Sequence, residues 1–260
     1  MKLYTLLLIV LMGLSTSCHN TTKKEYRVSP DSLFALFEQA RWCNGEAYLK
    51  LADCYRDGSG LQQNLTNMIV MLIRAKELGA IEDLSDYWET IPANHPYKTV
   101  LHVLKLIDLN KWNEAAEIAD SMMSCGIVDG YSIKSYIAME QRDTVEALRL
   151  LEYTDKQGST FVPFLSVFYN DEDTRFSYDD YLAYADHSPI FYLLLGNRIL
   201  KSGGDRGVSK AIYSFYLRAD NYACLDKRSA QWMLDYMNQH KINLPDALMK
   251  CRLLILAGKI

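Results

Sequence analysis

From Ser29 to its end the chain alternates helix-length segments, apolar along one side, with short polar breaks. Leu65, Met68, Ile69, Leu72 and Ala75 recur at three- and four-residue spacing, and so do Leu101, Leu104 and Ile107. That spacing gathers each set on one face of a 3.6-residue helix. No convincing two-residue alternation interrupts the series, so the pattern predicts an all-α fold. A register runs through it: Met68 is followed eleven residues later by Gly79, Ala115 by Gly126, Ala147 by Gly158 and Ala211 by Tyr222. The anchors stand 47, 32 and 64 residues apart, where 64 is two steps of 32 and 47 is one step plus the extra segment from Glu82 to Pro96. A degenerate copy is therefore expected near Asp179, within Phe176 to His187. A small anchor lets two helices approach closely, and a terminal glycine takes the left-handed conformation that stops a helix. A lone helix pair cannot bury both its faces, which predicts an α/α superhelical solenoid of about six stacked pairs. The last helix is expected over Leu244 to Leu256, with Asn243 as its N-cap and Pro245 at its first position.

The first residues break this pattern. Lys2 precedes an apolar run from Leu3 to Leu14, followed by Ser15, Thr16, Ser17 and Cys18. Twelve helical residues rise only about 18 Å against a hydrocarbon core of roughly 30 Å, so the run fits a secretory signal better than a membrane span. Leu14-Ser15-Thr16-Ser17-Cys18 resembles a bacterial lipobox, with a serine-rich exit similar to that of lipoproteins of the Bacteroides group. The resemblance implies cleavage before Cys18, lipidation of Cys18, and a membrane anchor in the bacterial envelope. The expected organisation is a signal peptide over 1–17, a polar tether over 18–28 and a helical repeat domain over 29–260.

A second resemblance lies in the body. Ala47-Tyr48-Leu49-Lys50-Leu51-Ala52-Asp53-Cys54-Tyr55, then Gly58-Ser59-Gly60-Leu61 and a close at Arg74-Ala75-Lys76-Glu77-Leu78-Gly79, resembles a Sel-one-like repeat. Leu195-Gly196 and the segment from Gly203 to Ala219 echo it, while Trp112-Asn113-Glu114-Ala115-Ala116 is closer to a tetratricopeptide second helix. Counted generously, the resemblance covers Ser29 to the C-terminus.

Composition narrows the chemistry. With 28 Lys+Arg against 32 Asp+Glu and a net charge of −4, the chain has no basic field for phosphate backbones, and no nucleic-acid partner is expected. Cys18 aside, Cys43, Cys54, Cys125, Cys224 and Cys251 form no C-x-x-C pair, and most lie in apolar helical patterns, where free thiols pack as small hydrophobes. His95 and His102 stand two turns apart, not at the one-turn spacing of a zinc helix. The acidic run Asn170-Asp171-Glu172-Asp173, near Asp179-Asp180, lacks the glycine and closing glutamate of a calcium loop. No metal, cofactor or catalytic constellation is expected. Trp42, Trp88, Trp112 and Trp232 are assigned to packing between repeats. Tyr48, Tyr55, Tyr131 and Tyr136, from first helices of successive pairs, are the candidate lining of a concave binding groove. The expected role is a noncatalytic scaffold for a protein or peptide partner; the alternative is an accessory part in glycan capture or outer-membrane assembly.

Overall fold

The computed structural model describes residues 29–157, 159–164, 176–203, 209–244 and 246–260. The signal segment, Cys18, the tether, Gly158 and the run from Asn170 to Asp173 lie outside them. The described residues form thirteen bounded helices: α1 (Pro30–Arg41), α2 (Gly45–Asp57), α3 (Leu65–Glu77), α4 (Leu84–Trp88), α5 (Pro96–Asp108), α6 (Trp112–Ser124), α7 (Val128–Glu140), α8 (Thr144–Lys156), α9 (Tyr178–Ala185), α10 (Ile190–Lys201), α11 (Ser209–Asn221), α12 (Lys227–His240) and α13 (Ala247–Leu256). No strand occurs among the described residues. Neighbours in the chain pack on one another, α2 on α3, α6 on α7, α7 on α8 and α10 on α11, which makes an all-α superhelical solenoid.

Local chemistry sets the helix starts. Asn44, Asn64 and Asp143 each accept a hydrogen bond from the backbone N–H three residues on, satisfying a donor that the first turn leaves free. Ser177 and Asp180 form a reciprocal capping box on α9, so Asp180 is occupied in opening a helix. The last helix begins later than the sequence predicts, at Ala247, because the Asp246 carboxylate accepts from both Leu248 N (2.8 Å) and Met249 N (3.2 Å) and caps better than Asn243.

The register holds at Met68 to Gly79 and at Ala115 to Gly126, slips at Ala211, and at Ala147 only its anchor falls among the described residues. Ala115 and Ala147 are buried and Met68 is fully covered, while Gly79 and Gly126 close their helices at positive φ. In α11 the inward face is Ile212, Tyr216 and Ala219, and Ala211 points to solvent. The extra segment from Glu82 to Pro96 contains the short α4.

Several helix ends put a residue other than glycine in the left-handed region, among them Asn110, Arg142 and Ala223. At exposed Arg142 (φ 63°) glycine would remove the Cβ strain without uncovering any core. Arg142→Gly should raise the unfolding free energy by about 0.5–1 kcal/mol, read from urea denaturation. The reverse case is Gly130 in α7, where a Cβ would sit 2.6 Å from Met122 Cβ and 2.9 Å from the Ala119 carbonyl oxygen of α6. Gly130→Ala should cost about 1–3 kcal/mol in the same measurement, since backbone must move to admit the methyl.

The stack also closes on itself. The α1 helix packs against α11, and the Phe37 and Tyr222 rings meet edge to face at 6.2 Å. Asp220 of α11 accepts from Arg41 of α1 (2.9 Å) and from Arg252 of α13. Within the turn lies α3, whose residues Leu65 to Leu72 are all buried. A helix covered all round belongs to a core rather than to the surface of an open groove. Its polar side chains reach elements far along the chain: Thr160 Oγ1 donates to Thr66 Oγ1 (3.0 Å), Asn64 Nδ2 to the His187 carbonyl (3.2 Å), and Arg74 to Asp226 (3.0 Å). One continuous apolar cluster therefore runs from Ala40 to Leu253.

Candidate functional site

A recess of about 620 Å³ opens where the C-terminal turn of α3, the N-terminal turn of α12 and the last turn of α13 meet. Arg74, in the Arg74-Ala75-Lys76-Glu77 run, stands in its wall. Its guanidinium donates to Glu77 (2.8 Å), to Asp226 (3.0 Å) and to the Cys224 carbonyl (3.2 Å). Burial disfavours the charge, but Asp226 and Glu77 outweigh it and hold the pKa above the usual arginine range. The Arg74 Nε–H is buried and has no acceptor among the described residues, a deficit that ordinarily costs about 1–3 kcal/mol.

Tyr48 of α2 faces the same recess. It is 2% exposed, and its hydroxyl makes no hydrogen bond among the described residues. Burial drives its pKa up, only partly opposed by Arg74. Along α12 lie exposed Lys227, without an acid partner among the described residues, then Arg228 and Trp232. Arg228 and Lys201 both lie over the Trp232 ring, at 4.6 and 4.8 Å from its centroid, each in cation–π range. Leu78, Leu225, Ile255 and Leu256 complete an apolar wall. Beneath it Cys224 is a free thiol pushed up to about 12 by burial, a packing group rather than a nucleophile.

The four tyrosines expected to share a groove are dispersed. Tyr48 lines the recess, whereas Tyr55 and Tyr136 belong to the core, with Tyr136 ringed by Trp112 at 6.5 Å. Tyr131 sits at the surface of α7 against Tyr153 of α8, centroids 4.4 Å apart. The physical reason is the closed turn: α3 occupies the inside of the curve, so the inward positions of α2 and α7 pack on other helices. Elsewhere on the exposed side of α8, Val145 (80% exposed) and Leu148 (62% exposed) stand one turn apart.

The tryptophans divide too. Trp88 stacks over His102 at 5.1 Å and Trp112 packs near Tyr136, as expected, but Trp42 lies exposed beneath Arg252 and Trp232 borders the recess. Among the cysteines, Cys54 and Cys224 are buried and Cys125 is exposed, because it follows the last residue of α6. His95 caps α5, accepting from Tyr97 N at 3.2 Å. No group of three His, Cys, Asp or Glu side chains placed to hold a metal occurs among the described residues.

Lys227 and Arg228 were missed by sequence reasoning, though a signal existed. They occupy the first turn of α12, where the helix dipole favours acids. Two cations placed against that preference mark a site where some other demand overrides the local rule. Compared with family models, curated proteins and solved structures, the chain matches none.

Proposed function

We propose that the protein is a lipid-anchored component of a bacterial cell envelope, built from repeats akin to the Sel-one-like and tetratricopeptide families, that holds a protein or peptide partner without catalysis. The lipobox-like run from Leu14 to Cys18 supports the anchor. The observation that carries the binding role is the pair Val145 and Leu148, one turn apart on the exposed side of α8, large apolar side chains that stand in water beside the ion pair of Glu146 and Arg149. Neighbouring exposed apolar side chains with charges at their rim are in keeping with a partner site.

Two measurements test this. Cys18→Ala should abolish labelling by an alkyne-bearing fatty acid and release the protein from membranes. A photocrosslinking residue at position 148 should capture a discrete partner in cells, and Val145→Glu should remove that adduct while leaving the melting temperature unchanged. No discrete adduct at 148 would defeat the partner-binding role; unchanged labelling in Cys18→Ala would defeat the anchor.

A further inference from the structure

The recess between α3, α12 and α13 takes no lining residue from α7 or α8, and its chemistry is different. One of its donors, the buried Nε–H of Arg74, has no acceptor among the described residues, and the Tyr48 hydroxyl opens on the same recess. Buried polar groups are nearly always paired, so the Arg74 Nε–H calls for a partner from outside the described chain. The Arg74 Nε–H and the Tyr48 hydroxyl can both donate, and the nearby acids are engaged already: Glu77 and Asp226 hold the other guanidinium nitrogens, and Asp226 also caps α12 through Ser229 N. Lys227 and Arg228 add positive charge at the start of α12, whose dipole has the same sign. The missing partner is thus an anionic acceptor.

The rest of the wall says what the anion is attached to. Leu78, Leu225, Ile255 and Leu256 offer no donors, and the Trp232 ring carries Arg228 and Lys201 over it. A free phosphate would leave that wall wet, whereas an unbranched apolar chain would cover it at about 0.8 kcal/mol per buried CH₂. The volume of about 620 Å³ falls among the roughly 300–1,000 Å³ of small-molecule sites. We infer that this recess binds a carboxylic acid with an unbranched apolar chain, its carboxylate between Tyr48, Arg74 and the start of α12, its chain along Leu225 and Leu256. The site is independent of the partner-binding face and stands or falls without it.

The test uses the full-length chain carrying Cys18→Ser, which removes acylation, titrated with decanoate by calorimetry while the tryptophan fluorescence is followed. Decanoate should bind with a fluorescence change that Trp232→Phe removes. Methyl decanoate, lacking the charge, should bind about 10- to 100-fold more weakly, the effect of losing charged hydrogen bonds. Inorganic phosphate and acetate should not bind measurably, separating the acid with a chain from an anion alone. Tyr48→Phe, which leaves the ring in place, should weaken decanoate several-fold at unchanged melting temperature, and Lys227→Glu should weaken it further. Equal binding of decanoate and its methyl ester would overturn the anion site. Binding insensitive to both Tyr48→Phe and Lys227→Glu would place the ligand elsewhere, and no binding of decanoate would end the proposal.

Discussion

Replacing Asp220 by alanine should destabilise the protein by about 3–5 kcal/mol, the usual cost of removing one partner from a buried ion pair. Asp220 is 1% exposed and joins both ends of the chain: Arg41 of α1 donates to it at 2.9 and 3.3 Å, and Arg252 of α13 donates to both of its oxygens. Its loss strands Arg252, itself 3% exposed, in a low-dielectric core without a counter-charge. Arg41 is less exposed to this penalty, because it keeps Glu38 one turn back. Against a typical total of about 5–15 kcal/mol, the loss is a large share of the stability. Urea denaturation gives the magnitude, and limited proteolysis gives the place: α1 should become the first segment cleaved. A loss below about 1 kcal/mol, the worth of an exposed pair, would mean that water reaches Asp220 and that this contact does not close the turn. Replacing Asp220 and Arg252 together by apolar residues of similar size should cost much less than Asp220→Ala, because no unpaired charge remains.

That contact also shows where the sequence stops being legible. Helix positions follow from local spacing, as with Leu65, Met68, Ile69 and Leu72, and the all-α class follows from them. Closure does not. Arg41 and Asp220 are separated by 179 residues, and each looks like an ordinary charge at the end of an amphipathic helix. Nothing in local periodicity separates a solvated charge from one that meets a partner across the fold. The same gap explains the site. Tyr48 stands out in the sequence by its place in a first helix, but the recess that gives it meaning exists only once Arg74 and α12 are brought beside it. Tyr55, two turns further along the same face of α2, is core for the same reason, since the closed turn leaves it no groove to line.

Asp129→Asn should stabilise the protein by up to about 3 kcal/mol at pH 7.5 and by almost nothing near pH 4. Asp129 lies in the first turn of α7 and borders a polar recess of about 210 Å³ with Gln63, Asn64, Tyr97 and Gln157. No cation lines that recess, and the Asp129 carboxylate accepts no hydrogen bond among the described residues. Burial pushes its pKa from 3.8 to about 6. The folded state therefore holds the proton more tightly than the unfolded chain, and stability falls as pH rises from about 4 to about 6. Asparagine keeps the shape and removes the charge, so the gap between variant and wild type should open across that window and stay constant above it. The opposing effect is loss of a negative charge at a helix start, worth about 0.3–1 kcal/mol, too small to reverse the sign. Asp155, also raised by burial, changes both proteins alike and cancels in the difference. Parallel urea titrations at pH 4.0, 5.0, 6.0 and 7.5 give the comparison. A gap that does not change with pH would mean that Asp129 titrates like an exposed carboxylate, with the recess open to water and the side chain solvated.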